Sequence, residues 1–143
     1  MPSKRKVLVL CTGNTCRSQM AEGMVNTLLS DRWEAFSAGV EPGETVNPWA
    51  VRVMREIGID ISRQKPKSVD KFLLRRDLDL IVTVCDNARQ TCPLFPGNVP
   101  QIHIGFPDPA EFAKEPEEIA LAKYREVRDN IRQELIERLR NFN

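Results

Sequence analysis

A chain of 143 residues with 41% hydrophobic and 29% charged content can form one ordinary core, and its length argues against two domains. The net charge of +1, from 21 basic and 20 acidic residues, excludes the strong positive field of a nucleic-acid binder, so any anion it binds is expected to be small. The longest apolar run, Val7–Cys11, is far short of the roughly 20 residues a membrane span needs, and no cleavable signal pattern follows Lys4-Arg5-Lys6. A cytoplasmic, monomeric protein with no nucleic-acid or membrane partner is expected.

Lys6–Leu10 reads as a buried parallel strand, and from Ser18 onward Met20, Ala21, Met24, Val25, Leu28 and Leu29 follow helical spacing. Trp33–Ala38 reads as a second strand. Asn47 before Pro48 predicts a helix start and Gly58 its stop, giving a helix over 48–57. A short helix is predicted over Ser68–Arg75 and a central strand over Leu78–Val84; residues 86–101 are turn-rich, and a short strand follows near Gln101–Ile104. Glu115-Pro116-Glu117-Glu118 opens a long amphipathic helix through Ile119, Tyr124, Val127, Ile131, Leu135, Ile136 and Leu139. Alternating strands and helices imply one α/β domain over 1–143, a parallel sheet with helices on both faces.

The segment Cys11-Thr12-Gly13-Asn14-Thr15-Cys16-Arg17-Ser18 puts a cysteine at a strand end, an arginine six positions later and a helix immediately after. A loop wrapping into a helix N-terminus turns backbone N–H groups inward beside the positive end of the dipole, a cradle for a tetrahedral oxyanion. Gly13 and Asn14 tolerate the positive φ that such wrapping uses. Arg17 can hold two oxyanion oxygens with its planar fork. The same field should lower the Cys11 pKa from ~8.5 toward roughly 3.5–7.5, with Ser18 placed to donate a hydrogen bond to the thiolate. The competing reading is a buried, inert cysteine with Arg17 in a surface ion pair.

That motif, continued by Gln19-Met20-Ala21-Glu22-Gly23 and followed in order by Ser37-Ala38-Gly39 and Phe106-Pro107-Asp108-Pro109, resembles the low-molecular-weight tyrosine phosphatase superfamily, and within it the thioredoxin-coupled arsenate reductases. The resemblance spans nearly the whole chain. It implies a single-domain flavodoxin-like α/β fold, a four-stranded parallel sheet in the order 2-1-3-4, with the site at the C-terminal end of the first strand. It further implies reduction of arsenate to arsenite in arsenic detoxification. The oxyanion loop would be Thr12, Gly13, Asn14, Thr15, Cys16 and Arg17, and phosphate or sulfate could take arsenate's place. No tightly bound cofactor is implied; thioredoxin would act as a transient external reductant.

The second cysteine pair separates the branches. A phosphatase needs Cys11, Arg17 and an acid but has no use for Cys85 and Cys92, whereas arsenate reduction needs two electrons, which two thiols deliver by forming a disulfide. Cys85 ends a parallel strand, so it emerges on the same edge as Cys11. If Asp86–Thr91 were helical, Cys85 and Cys92 would lie about 10.5 Å apart along the axis, whereas a disulfide needs α-carbons within about 7 Å. The segment would have to unwind, and its poor helix formers make that inexpensive: a redox switch, against the alternative of two unrelated structural cysteines.

The resemblance implies a relay. Cys11 attacks arsenate held by the loop and Arg17, while Asp108, stiffened between Pro107 and Pro109, protonates the departing oxygen. Cys85 then forms a disulfide with Cys11, releasing arsenite, and Cys92 converts it to an exposed Cys85–Cys92 disulfide that thioredoxin reduces.

Gln19 and Ala110 stand where the phosphatases typically carry proline and an aromatic residue, which favours arsenate without removing weak phosphatase activity. Some members bind potassium beside the loop, and Asn14, Glu22 and Ser37 match those positions; Lys65 stands where a further oxygen ligand would be, and its ammonium could replace the ion. Cys16, Trp33 and Trp49 read as packing residues. Lone His103 and the cysteine spacing match no zinc pattern. A phosphotyrosine phosphatase is the second reading, and a noncatalytic anion sensor the third.

Overall fold

The computed structural model describes residues 4–142; residues 1–3 and 143, the ends of the domain expected over 1–143, lie outside them. Strand β1 (Arg5–Cys11) is central because it pairs on both sides: with β2 (Trp33–Gly39) in the register Arg5↔Trp33 to Cys11↔Gly39, and with β3 (Leu80–Thr83) from Val7↔Leu80. β4 (Gln101–His103) adds beside β3, giving an all-parallel sheet in the expected order 2-1-3-4. Both faces of β1 are covered, which is why Val7–Leu10 is an unbroken apolar run with no exposure.

Helix α1 (Arg17–Leu28) buries Met20, Ala21, Met24 and Val25. Helix α2 (Pro48–Arg55) begins as predicted, with the Asn47 side chain accepting from the Trp49 N–H at 2.8 Å, and Gly58 turns the chain away at φ 79°. Period-2 alternation along β2 separates the two faces of the sheet. Trp33 points to the C-terminal helices, donating to Leu139 O at 3.2 Å, whereas Phe36 meets Phe72 on the opposite side at 5.8 Å between ring centroids.

Four expectations change in detail. The helix over Ser68–Arg75 is a single 3-10 turn, Val69–Phe72, because only Val69 and Phe72 are buried and their i, i+3 spacing suits three residues per turn. The ladder expected over Leu78–Val84 is counted over Leu80–Thr83, although the Val84 N–H still reaches Leu10 O at 3.0 Å.

Within the turn-rich stretch, Asp86–Thr91 is helical (α3). The Cys85 sulfur accepts from the Ala88 N–H at 3.4 Å, Ala88 is buried, and Asp86 and Arg89 complement the helix dipole at either end.

The C-terminal helix is interrupted: α4 (Glu117–Ile131) passes through a π-helical turn (Arg132–Ile136) into α5 (Glu137–Arg140), with Pro116 at the cap rather than in the first turn. Ile131, Leu135 and Leu139, all buried, recur every four residues, and the wider turn absorbs the drift this spacing would cause at 3.6 residues per turn. Among the described residues, no helix is long and apolar enough to cross a membrane.

Candidate active site

The loop from Cys11 to Arg17 is held from outside. The carbonyls of Cys11, Thr12, Gly13 and Thr15 accept from the N–H groups of Val40, Glu41, Gly43 and Asn47 at 3.2, 2.9, 2.9 and 2.8 Å. The Asn14 carbonyl accepts from Gln19 Nε2 at 2.9 Å, and Cys16 O accepts from the Met20 N–H at 2.9 Å. The N–H groups of Gly13, Asn14, Thr15 and Cys16 donate to no backbone carbonyl among the described residues, which leaves them for an anion beside the start of α1. Asn14 takes the positive φ (54°) that the wrapping requires. Gly39 permits the close approach of β2: a Cβ there would stand 2.6 Å from Thr12 O.

Arg17 closes the cradle. Its Nη1 donates to Phe106 O at 3.0 Å, and its Nη2 lies 3.8 Å from Asp108 Oδ2. Its Nε is buried without a hydrogen-bond partner, alone in this among the side-chain nitrogens and oxygens of the described residues. A buried guanidinium N–H left open is costly, and an oxyanion in the cradle would satisfy it. Asp108 is extended (φ −83°, ψ 110°), as a residue before proline should be, and caps the 3-10 turn Pro109–Phe112 by accepting from the Ala110 N–H at 3.0 Å. Beside Arg17 a cleft of about 290 Å³ is lined by Cys85, Asp86, Gly105, Phe106 and Pro107.

All four thiols are free, and Cys11, Cys85 and the start of α3 meet at one edge of the sheet. The proton distribution corrects an expectation. The contact with Cys85 and then burial push Cys11 up, more than Arg17 and the Thr12 N–H pull it down. Cys85 is drawn down to about 5, first by the hydrogen bond from Cys11, then by those from the Thr12 side chain and the Ala88 N–H and by the charge of Arg17. The pull is therefore downward on Cys85, whose sulfur collects donors from Cys11, Thr12 and Ala88, and upward on Cys11, which gives its own proton to that contact.

Cys92 ends α3, its thiol raised by burial, with Sγ 3.6 Å from Pro93 O. Burial and the Asp108 carboxylate push Cys16 up to about 12, in keeping with a packing role.

Ser18 is buried, but its partner is Asn14, whose Nδ2 donates to Ser18 Oγ at 2.8 Å; no hydrogen bond joins Ser18 to Cys11. Sequence reasoning also missed the role of Gln19. Fully buried, its Nε2 spans Asn14 O, Asn14 Oδ1 (3.1 Å) and Lys65 O (3.0 Å), while Gln64 Nε2 donates to Gln19 Oε1 at 2.7 Å. A polar residue on the buried side of α1 was the available signal.

Asn14, Glu22 and Ser37 do come together, but their oxygens are already served from within the chain. Ser37 Oγ donates to Glu22 Oε1 at 2.8 Å, Lys67 Nζ lies 3.5 Å from the same oxygen and donates to Lys65 O at 3.0 Å, and Asn14 Oδ1 accepts from the Lys67 N–H at 2.9 Å. The ammonium is that of Lys67; Lys65 contributes its carbonyl. This donor set does not fit a potassium ion. His103 spends its ring nitrogens on Thr83 Oγ1 (Nδ1, 2.8 Å) and Asp86 Oδ1 (Nε2, 3.4 Å), and Trp49 stacks on Tyr124 at 6.3 Å.

Over residues 6–142 the chain matches the family of low molecular weight phosphotyrosine protein phosphatases, and it belongs to that family. It is 48% identical over 129 residues to an arsenate reductase of Halalkalibacterium halodurans, a match covering 90% of this chain and 91% of that protein. Its fold is similar to the solved structure of an arsenate reductase in the phosphate binding state (TM-score 0.76, 27% identity, 97% of this chain and 99% of the other). It is also similar to a thioredoxin-dependent arsenate reductase of Corynebacterium glutamicum (TM-score 0.68, 25% identity, 96% and 62%). The family resemblance read from the motifs is borne out.

Proposed function

We propose that this protein reduces arsenate to arsenite as one cytoplasmic, monomeric domain spanning residues 1–143, serving arsenic detoxification with thioredoxin as transient reductant and no tightly bound cofactor. The observation that carries this reading is the position of Cys85, whose free thiol lies 3.3 Å from Thr12 Oγ1 at the rim of the oxyanion cradle, with Cys92 one short helix away. A hydrolase of phosphate esters has no use for that second thiol.

Arsenate is held by the N–H groups of Thr12, Gly13, Asn14, Thr15, Cys16 and Arg17 and by the Arg17 guanidinium. Transfer of the shared proton to Cys85 makes Cys11 the first nucleophile. Its thiolate attacks arsenic, and one oxygen leaves as water, protonated by Asp108. Ser18, whose oxygen is held by Asn14, keeps its own proton to donate toward Cys11. Cys85 attacks Cys11 Sγ while its proton passes to an oxygen of the arsenic group; the S–As electron pair stays on arsenic, which leaves as arsenite, and the Cys11–Cys85 disulfide remains. Cys92 attacks Cys85 Sγ, freeing Cys11, and thioredoxin reduces Cys85–Cys92. The Lys67 ammonium on Glu22, beside Ser37 and Asn14, supplies the positive charge at the flank of the loop, and no step passes through potassium.

The test is arsenate-dependent NADPH consumption with thioredoxin and its reductase. Turnover is lost in Cys11→Ser, Cys85→Ser and Cys92→Ser, and a single arsenite per chain survives only in Cys92→Ser. A silent wild type that hydrolyses an aryl phosphate, with Cys85→Ser equally active, would overturn the reading in favour of the phosphatase reading, which Cys11, Arg17 and Asp108 alone would serve.

A further inference from the structure

Thr12 Oγ1 lies 3.3 Å from Cys85 Sγ and 3.0 Å from Asn87 Nδ2. The Asn87 amide nitrogen can only donate, so the Thr12 oxygen accepts from it, and the one hydroxyl proton of Thr12 is left for the sulfur. From this geometry we infer that Asn87 is a positioning residue for the second nucleophile: by donating to Thr12 it aims the Thr12 hydroxyl at Cys85, and it does so only while α3 is wound.

This inference rests on the relay proposed above and names the groups that set its second nucleophile. Cys85 Sγ receives the Thr12 hydroxyl, set by Asn87, and the Ala88 N–H at 3.4 Å. Both Asn87 and Ala88 belong to the first turn of α3, so a wound helix and a stabilised Cys85 thiolate are one condition. Once Cys85 is bonded to Cys11, its sulfur carries no charge for these donors. The other charged or titratable groups around Cys85 are Cys11 from β1, Arg17 from α1 and Asp86 beside it, the last tied to His103 of β4.

The experiment is peptide-resolved alkylation of Cys85 as a function of pH, without arsenate, in wild type, Asn87→Ala, Asn87→Asp, Thr12→Val and the double variant Asn87→Ala/Thr12→Val. Losing one hydrogen bond to a thiolate moves the midpoint up by about one pH unit, a tenfold change in the ionisation constant. Asn87→Ala should show this rise. Asn87→Asp should show at least as large a rise, because a carboxylate would take the Thr12 proton for itself. The double variant should match Thr12→Val, since Asn87 acts through that hydroxyl alone. An unmoved midpoint in Asn87→Ala, a midpoint in Asn87→Asp at the wild-type value, or additive shifts in the double variant would each overturn the inference. Because the midpoints need no turnover, a chain that failed to reduce arsenate would still show whether Asn87 sets the Cys85 thiolate.

Discussion

The two halves of this site are built to opposite standards. Around Cys11, every loop carbonyl from residue 11 to 16 has a donor, and buried Asn14 and Gln19 form a network with half-buried Gln64 behind them. Around Cys85 and Cys92, six residues form a helix whose only buried member is Ala88 and whose cap is a sulfur. The first region is over-determined, as pre-organised anion recognition demands; the second is held by a few weak bonds, as a segment that must change shape demands. Rigidity and pliancy meet at the contact from Thr12 to Cys85.

The contrast can be broken hardest at its rigid side. Arg17→Lys keeps the charge but loses the fork, and kcat/KM for arsenate is expected to fall by about 10²–10³-fold in the coupled NADPH assay. Gly39→Ala pushes a methyl to 2.6 Å from Thr12 O and 3.0 Å from Gly13 C. A cost of about 1–3 kcal/mol in urea-unfolding stability is expected, with a raised KM for arsenate. On the pliant side, forming the Cys85–Cys92 disulfide should accelerate amide hydrogen exchange over 86–91 and leave 11–18 unchanged, since α3 alone has to unwind.

A remote clamp supplies the smallest effect. Glu56 is held down to about 2, chiefly by Arg125 and then by Arg128, across α2 and α4. Because the folded pKa is depressed, its stabilisation is complete above the unfolded value of 4.5 and is lost as pH falls toward about 2. Glu56→Gln should flatten that acid limb by less than about 1 kcal/mol, the pair being partly solvated, and leave turnover untouched.

The rigid side was the more legible in sequence. Cys11 to Ser18 is contiguous, and a strand, a positive-φ residue and a helix start can be read from neighbours alone. The sheet order came with the family motifs. Cys85 could be placed because a parallel strand's end declares its edge. What escaped depends on side chains meeting across the fold: which sulfur keeps the proton, whether Lys65 or Lys67 turns its ammonium to Glu22, and what Gln19 and Asn87 touch. The helicity of Asp86–Thr91 escaped too, because its residues have low propensity and its stability comes from the Cys85 cap and one buried alanine.

A cradle that spends its carbonyls outward presents donors only. On the reading proposed above it recognises size and negative charge, so phosphate, abundant in any cell, would enter on the same terms as arsenate. Sorting is then left to the chemical steps after occupancy: only a central atom able to accept an electron pair lets Cys85 expel it, and every other guest can merely depart as it came. Selectivity in such a site belongs to chemistry rather than to affinity, and the competing anion slows the enzyme without ever becoming its product.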